Sequence, residues 1–184
     1  MKFVKYFLFL TLFSVVFIAC KKPKEEDPQP SISEQNLTKS EWKGDSIRVK
    51  ANAQGQNIDQ RLPLTGATIT FKTDKTFSSS FGQGTTPQTG TWELLENDTK
   101  IKLLGGFRNN VTELINQILP VLSTQLPQGT TIDSITIPEI FAIKTLTETK
   151  FVFNGDITIN VKIASPFGAI TLPIPANTDF SFKR

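Results

Sequence analysis

The chain has no histidine and only one cysteine in its 184 residues. The first absence removes the side chain most used as a general base near neutral pH, and the commonest protein ligand for transition metals. The second excludes an internal disulfide, so Cys20 must serve some other chemistry. Basic clusters are lacking too. The 20 Lys and Arg are spread against 17 Asp and Glu with no arginine-rich stretch, which argues against nucleic acid as a partner. A long apolar run occurs at one place, Tyr6 to Ile18. Its roughly 13 residues fall short of the ~20 that a membrane-spanning helix needs. Acidic residues sit in turn-like segments, with no spacing that pairs Glu93 with Glu96, or Glu148 with Asp156, for acid–base work. Neither Glu96-Asn97-Asp98 nor Asn154-Gly155-Asp156 supplies the oxygen ligands that calcium requires. The sequence therefore reads as non-enzymatic, with no metal and no cofactor.

The N-terminus is the most explicit stretch. Lys2 and Lys5 precede the apolar run, and the small residue Ala19 precedes Cys20. This arrangement resembles a bacterial lipoprotein signal, in which the cysteine is acylated and becomes the new N-terminus. Phe17 departs from the aliphatic residue usual at that position. The continuation Ile18-Ala19-Cys20-Lys21-Lys22 resembles lipoproteins of the Bacteroidetes. The resemblance implies a signal peptide over 1–19 and palmitate-type lipidation at Cys20. It also implies an outer-membrane, lipid-anchored location facing the cell surface, with the periplasmic face as the alternative. Each buried lipid methylene contributes about 0.8 kcal/mol, so two or three acyl chains would hold firmly. Residues 20–36 read as a disordered tether, because Lys21 to Ser31 carries three prolines and six charges and no apolar residue. Lys24-Glu25-Glu26-Asp27 resembles the acidic export signals of surface-exposed lipoproteins. Loss of Lys2 and Lys5 would leave 18 basic against 17 acidic side chains, a nearly neutral mature chain.

Residues 37–184 are long enough for one domain with a sizeable core. Phenylalanine is abundant at 15, and Thr, Ile and Val recur with period two, which is strand chemistry. A turn of helix is expected over Leu37 to Glu41. A strand is expected from Trp42 through Ile47, Val49 and Ala51, then a loop over Asn52 to Arg61. Further strands are expected at Thr68–Phe71, Thr76–Phe81, Thr89–Leu95 and Lys100–Leu104, joined by short polar turns. Val111, Leu114, Ile115, Ile118, Leu119, Leu122 and Leu126 then recur at helical spacing, giving one helical insert over about 109–126. Asn109 or Asn110 is expected to cap it, and Pro120 to kink or split it near Leu119. Strands resume at Ile132–Ile137, Phe141–Leu146 and Lys150–Phe153. Asn154-Gly155-Asp156 reads as a hairpin turn into Ile157–Ile163. Thr171–Ile174 and Asp179–Phe182 complete the set, with Pro166, Pro173 and Pro175 confining those segments to edges or strand ends. The expected fold is all-β, an antiparallel meander with one helical insert.

Three segments carry a second resemblance. Ile69-Thr70-Phe71-Lys72-Thr73-Asp74-Lys75-Thr76-Phe77, Thr89-Gly90-Thr91-Trp92-Glu93-Leu94, and Ile143 to Phe153 together resemble the lipocalin-like domains of Bacteroidetes lipoproteins. The likeness covers about Leu37 to Phe153. It departs at Ser40-Glu41-Trp42, where Gly-x-Trp is usual, and in its longer helical insert. It implies a lipocalin-like barrel or strongly curved sheet. Barrels of this size can enclose one small ligand. Binding of a small apolar ligand is thus the first expected function, with Trp42, Trp92, Leu114 and Ile118 as lining candidates. The alternative is an accessory lipoprotein that binds another envelope protein or a glycan. An open apolar cavity would favour the first, and a barrel packed solid the second. Asp45-Ser46-Ile47 and Asp133-Ser134-Ile135 also fit the Asp-Ser-aliphatic pattern of O-glycosylation in Bacteroidetes, which requires Ser46 and Ser134 to be exposed.

Overall fold

The structure, a computed structural model of the chain, describes residues 29–53, 55–82, 84–123, 130–163 and 168–184. The signal segment 1–19, Cys20, the tether as far as Pro28, the segment 124–129 and Pro166 lie outside the described residues. Ser31–Arg184 forms one compact unit. Among the described residues there are two helices, α1 (Ile32–Thr38) and α2 (Phe107–Ser123), and ten strands. The strands are β1 (Trp42–Ala53), β2 (Gln56–Pro63), β3 (Ala67–Phe71), β4 (Thr76–Phe81), β5 (Gln88–Leu95), β6 (Lys100–Gly105), β7 (Thr130–Thr136), β8 (Ile140–Leu146), β9 (Lys150–Ile163) and β10 (Ile170–Lys183).

Eight antiparallel strands close a barrel in the order β1-β3-β4-β5-β6-β8-β9-β10, with β10 returning to β1. The fold is all-β, as the alternation implies, and its closed antiparallel barrel with a helical insert is consistent with the lipocalin-like barrel that the resemblance implies. Each wall strand follows the period-two rule. In β4, Phe77, Ser79 and Phe81 face inward and are buried, while Thr76, Ser78 and Ser80 are half-exposed. Gly90, in the Gly-Thr-Trp segment of β5, sits where an added Cβ would fall within 2.7 Å of the Phe77 ring.

Aromatic rings fill the barrel. Phe153 lies 4.8 Å from Phe151, 5.1 Å from Phe180 and 5.4 Å from Phe141, measured between ring centroids. Phe107, the first residue of α2, enters this cluster and meets Phe141 at 5.3 Å and Phe81 at 5.5 Å, both edge to face. Such pairs add about 0.5–1.5 kcal/mol each beyond simple burial. The far end holds Trp42, Phe71, Trp92 and Phe151 in a chain of ring contacts. Arg184 closes that end. Its guanidinium stacks 3.8 Å over Trp42 and donates to the carbonyls of Asn36 and Glu148, which ties α1 to the barrel.

Three strands outrun the barrel: β1, β9 and β10. Of these, β1 pairs with β3 only at Trp42 and Lys43, and β9 pairs with β8 only from Phe151 to Asn154. Beyond those points β2 joins β1 and β7 joins β9, giving a five-stranded extension in the order β2-β1-β10-β9-β7. Its inner face is aliphatic. Val49, Ala51, Ile58, Ile132, Ile159, Val161 and Ile174 surround a void of about 20 Å³, room for about one water-sized body.

The sequence expectations change mainly here. Asn52 to Arg61 is a hairpin rather than a loop, because Ile58 and Leu62 face inward between polar residues that face out. Asn154-Gly155-Asp156 makes no turn, and β9 runs straight through it. Gly155 faces the interior, where an added Cβ would lie 2.6 Å from the Phe141 ring, so this glycine serves close packing. The two final segments are one strand, β10. Pro173 and Pro175 lie past Ala51↔Ala176, where β1 pairing ends and β10 keeps only β9. Helix α2 starts at Phe107, so Asn109 and Asn110 lie within its first turn instead of capping it. The Asn110 amide donates to the Ser79 carbonyl and hydroxyl, both at 2.8 Å, latching the helix to β4. The helix continues through Pro120 to Ser123 without splitting. Helix α1 starts at Ile32, capped by Ser31, so residues 31–36 belong to the compact unit instead of to the tether.

Candidate binding groove

Among the described residues, aromatic rings pack the barrel interior. A depression of about 580 Å³, open to solvent, lies on the outer face of the extension. It crosses β2, β1, β10 and β9. The strand register sets one row of side chains across all four: Asp59 opposite Lys50, Lys50 opposite Asn177, and Asn177 opposite Asp156. Asn52 and Asn57 form a second rung beside it. Because side chains alternate, these residues face outward while Val49, Ile58, Ala176 and Ile157 between them are buried.

Hydrogen bonds between side chains fix the orientation of this row. Asn154 Nδ2 donates to Asn177 Oδ1 at 3.1 Å, and Asn177 Nδ2 donates to Asp156 Oδ1 at 2.7 Å. Asn52 Nδ2 donates to Asn57 Oδ1 at 2.8 Å, and Asn52 Oδ1 accepts from the Gly55 amide at 3.1 Å. Arg48 reaches Asp59 with two parallel bonds, Nε to Oδ1 at 2.7 Å and Nη2 to Oδ2 at 2.6 Å. The hydrogen bond from Arg48 holds the Asp59 carboxyl below its ordinary range, and the same contact raises Arg48. Planar amides and carboxylates held this way present fixed pairs of donors and acceptors. Among the described residues no group of three metal-ligating side chains gathers, here or elsewhere.

The residues singled out in the sequence fall in other places. Trp42 and Trp92 are buried together at the α1 end, with their indole N–H groups donating to the carbonyls of Leu37 and Lys72. Lys75 Nζ sits 4.5 Å over the Trp92 ring. Leu114 is buried on α2, which is latched near the opposite end of β4. The side chain of Ile118 lies outside the described residues. Ser46 is buried at 8% exposure and accepts from Arg61 Nε and Nη2, so the exposure that modification requires is not met there. Ser134 is exposed on β7 and accepts from Asn160 Nδ2 at 2.9 Å. The groove has no counterpart among the residues that the sequence singles out. Asn52, Asn57 and Asp59 looked like loop residues, and Asn154 and Asp156 like a turn. The available signal was the alternation Asn57-Ile58-Asp59-Gln60-Arg61-Leu62 and its counterpart in Asn154 to Ile159.

No protein-family model and no curated relative matches the chain. Among solved structures it is similar to a multidomain protein including DUF1735 from Bacteroides ovatus, at 9% identity and a TM-score of 0.27. That match covers 79% of this chain and 55% of the other. A second Bacteroides ovatus structure, of unknown function, matches at 9% identity and a TM-score of 0.27, over 78% of this chain and 46% of its own. The chain thus spans about half the length of these structures.

Proposed function

We propose that this protein is a non-enzymatic, lipid-anchored binding domain that takes a glycan on the outer groove of its sheet extension. The observation that carries the reading is a contrast of surfaces. The barrel interior is packed with rings, whereas the broad groove outside presents Lys50, Asn52, Asn57, Asp59, Asp156 and Asn177 around an apolar floor contributed by Ala51, Ile58, Pro175 and Ala176. Small apolar ligands need an enclosed apolar cavity. The apolar void at the extension holds about 20 Å³, far too little for one. A shallow groove of pre-oriented amides and carboxylates suits vicinal hydroxyl groups, which donate and accept in pairs. This favours the accessory-lipoprotein alternative over enclosed ligand binding.

An oligosaccharide array probed with the full-length protein tests the reading. Binding of a defined glycan class is expected, with loss of signal in Asn177→Ala and Asp156→Ala. Signal that persists in both variants, or an apolar molecule retained in native mass spectrometry of protein from its host, would contradict it. The anchor rests on Cys20. Cys20→Ala is expected to move the protein from the membrane to the soluble fraction, and unchanged membrane retention would refute lipidation.

A further inference from the structure

The outer face of the extension spends its cations on ion pairs. Arg48 is bound to Asp59, and Lys183 and Arg61 share Asp45 at 2.9 and 3.7 Å. Lys162 pairs with Asp133, and Lys144, on the adjoining strand β8, pairs with Asp179 at 2.5 Å. Among the described residues Lys50 is the one cation that lines the groove. It stands in the groove between Asp59 and Asn177, and among the described residues its ammonium has neither an ion pair nor a hydrogen bond. The cause is local. Asp59 is the cross-strand neighbour of Lys50, but Arg48 reaches it diagonally and occupies both of its oxygens. A planar guanidinium that grips a carboxylate with two bonds outcompetes a single ammonium. Lys50 is left exposed and without a hydrogen-bonded partner among the described residues.

The neighbouring groups add donors to that charge. Asn57 offers its amide N–H groups, because its oxygen is taken by Asn52. Asn177 has one N–H committed to Asp156 and a second to give. Asp59, the nearer carboxylate, is paired with Arg48 and acts on Lys50 only through space. The other opposing charge is Asp156, two strands away. Strands are spaced ~4.8 Å apart, which puts it roughly 10 Å from Lys50 along the row. That separation exceeds the Debye length of about 8 Å at physiological salt, so Asp156 weakens the field at Lys50 without cancelling it. Its unengaged Oδ2 remains an acceptor for a hydroxyl group.

From this arrangement we infer that the groove selects an acidic glycan: a uronic-acid saccharide whose carboxylate sits on Lys50 and whose hydroxyl groups meet Asn177 and Asp156. The inference rests on the glycan-binding reading above and adds the charge of the ligand. The test measures affinities of the full-length protein for a panel of uronic-acid oligomers, oligogalacturonides among them. Each is paired with its carboxyl-reduced, neutral counterpart. The acidic oligomers are expected to bind at least about tenfold more tightly, the share of one charge-assisted contact. Lys50→Gln is expected to abolish that preference while leaving the melting temperature unchanged, and rising salt is expected to narrow it. Asn177→Ala is expected to weaken both members of each pair. Equal binding of acidic and neutral oligomers, unaffected by Lys50→Gln but lost in Asn177→Ala, would overturn the acidic preference and leave the groove in place. Binding of no saccharide of either kind would overturn the glycan reading itself.

Discussion

The barrel and the sheet that extends from it share three long strands but differ in what they enclose and what they leave open. In the barrel, Phe107, Phe141, Phe151, Phe153 and Phe180 interlock, and every wall strand has two neighbours. In the extension the inner face is Ile, Val and Ala, and the outermost strands β2 and β7 have one neighbour each. Closure with ring packing yields rigidity and removes sheet edges. The extension adds little to closure, and its outward row of polar residues borders an open depression of about 580 Å³. The comparison separates a scaffold from a surface that the scaffold holds flat and in register.

The largest expected effect tests the scaffold side. Phe153→Ala removes a ring that touches five other phenylalanines. It is expected to cost about 3–5 kcal/mol in urea unfolding. Ile159→Ala, on the inner face of the extension, is expected to cost less, about 2–3 kcal/mol, because the rim can relax toward the open edges. Equal losses would erase the distinction between the two packings.

A smaller effect lies at their junction. Gly155→Ala drives a methyl group into the Phe141 ring and is expected to cost about 1–3 kcal/mol. A neutral result would mean that β9 does not pass straight from one region into the other. This position also shows why the site was hard to read. Asn-Gly-Asp has the composition of a turn, yet its glycine answers to the Phe141 ring on the preceding strand β8, a contact that local composition does not reveal. The barrel strands were legible, since Thr68–Phe71 and Thr76–Phe81 alternate cleanly between turn residues, and so was Ile157–Ile163 of the extension. The hairpin of β1 and β2 was obscured because its outward residues, Asn52, Asn57, Asp59 and Arg61, are as polar as a loop's. The groove draws its row from β2, β1, β10 and β9, and only cross-strand register unites residues so far apart. No local pattern encodes that register.

Asn177→Ala should separate function from stability. It removes one part-buried and one exposed hydrogen bond and is expected to cost only about 1 kcal/mol of stability, while abolishing glycan binding. A large loss of stability with binding intact would place Asn177 in the scaffold instead.

The smallest effect is on pH dependence. A hydrogen bond from Lys183 holds the Asp45 carboxyl below its ordinary range. A depressed folded pKa means that its contribution is fully present above the unfolded value, about 3.9. The contribution is lost as pH falls through the folded value. The urea midpoint is therefore expected to stay flat from neutral pH down to about 4 and to fall below it. Asp45→Asn should shallow that fall. A slope between pH 5 and 8 would contradict the account, because the chain has no histidine to titrate there.

The most direct measurement follows the resonances of a labelled protein as a uronic-acid oligomer is added. The two tryptophans give two indole N–H signals, from Trp42 and Trp92 at the α1 end of the barrel. The side-chain amides of Asn52, Asn57, Asn154 and Asn177 report on the groove. The account predicts that the amide signals move and both indole signals stay still. Indole signals that move while the groove amides stay fixed would contradict it, and would return the ligand to the barrel.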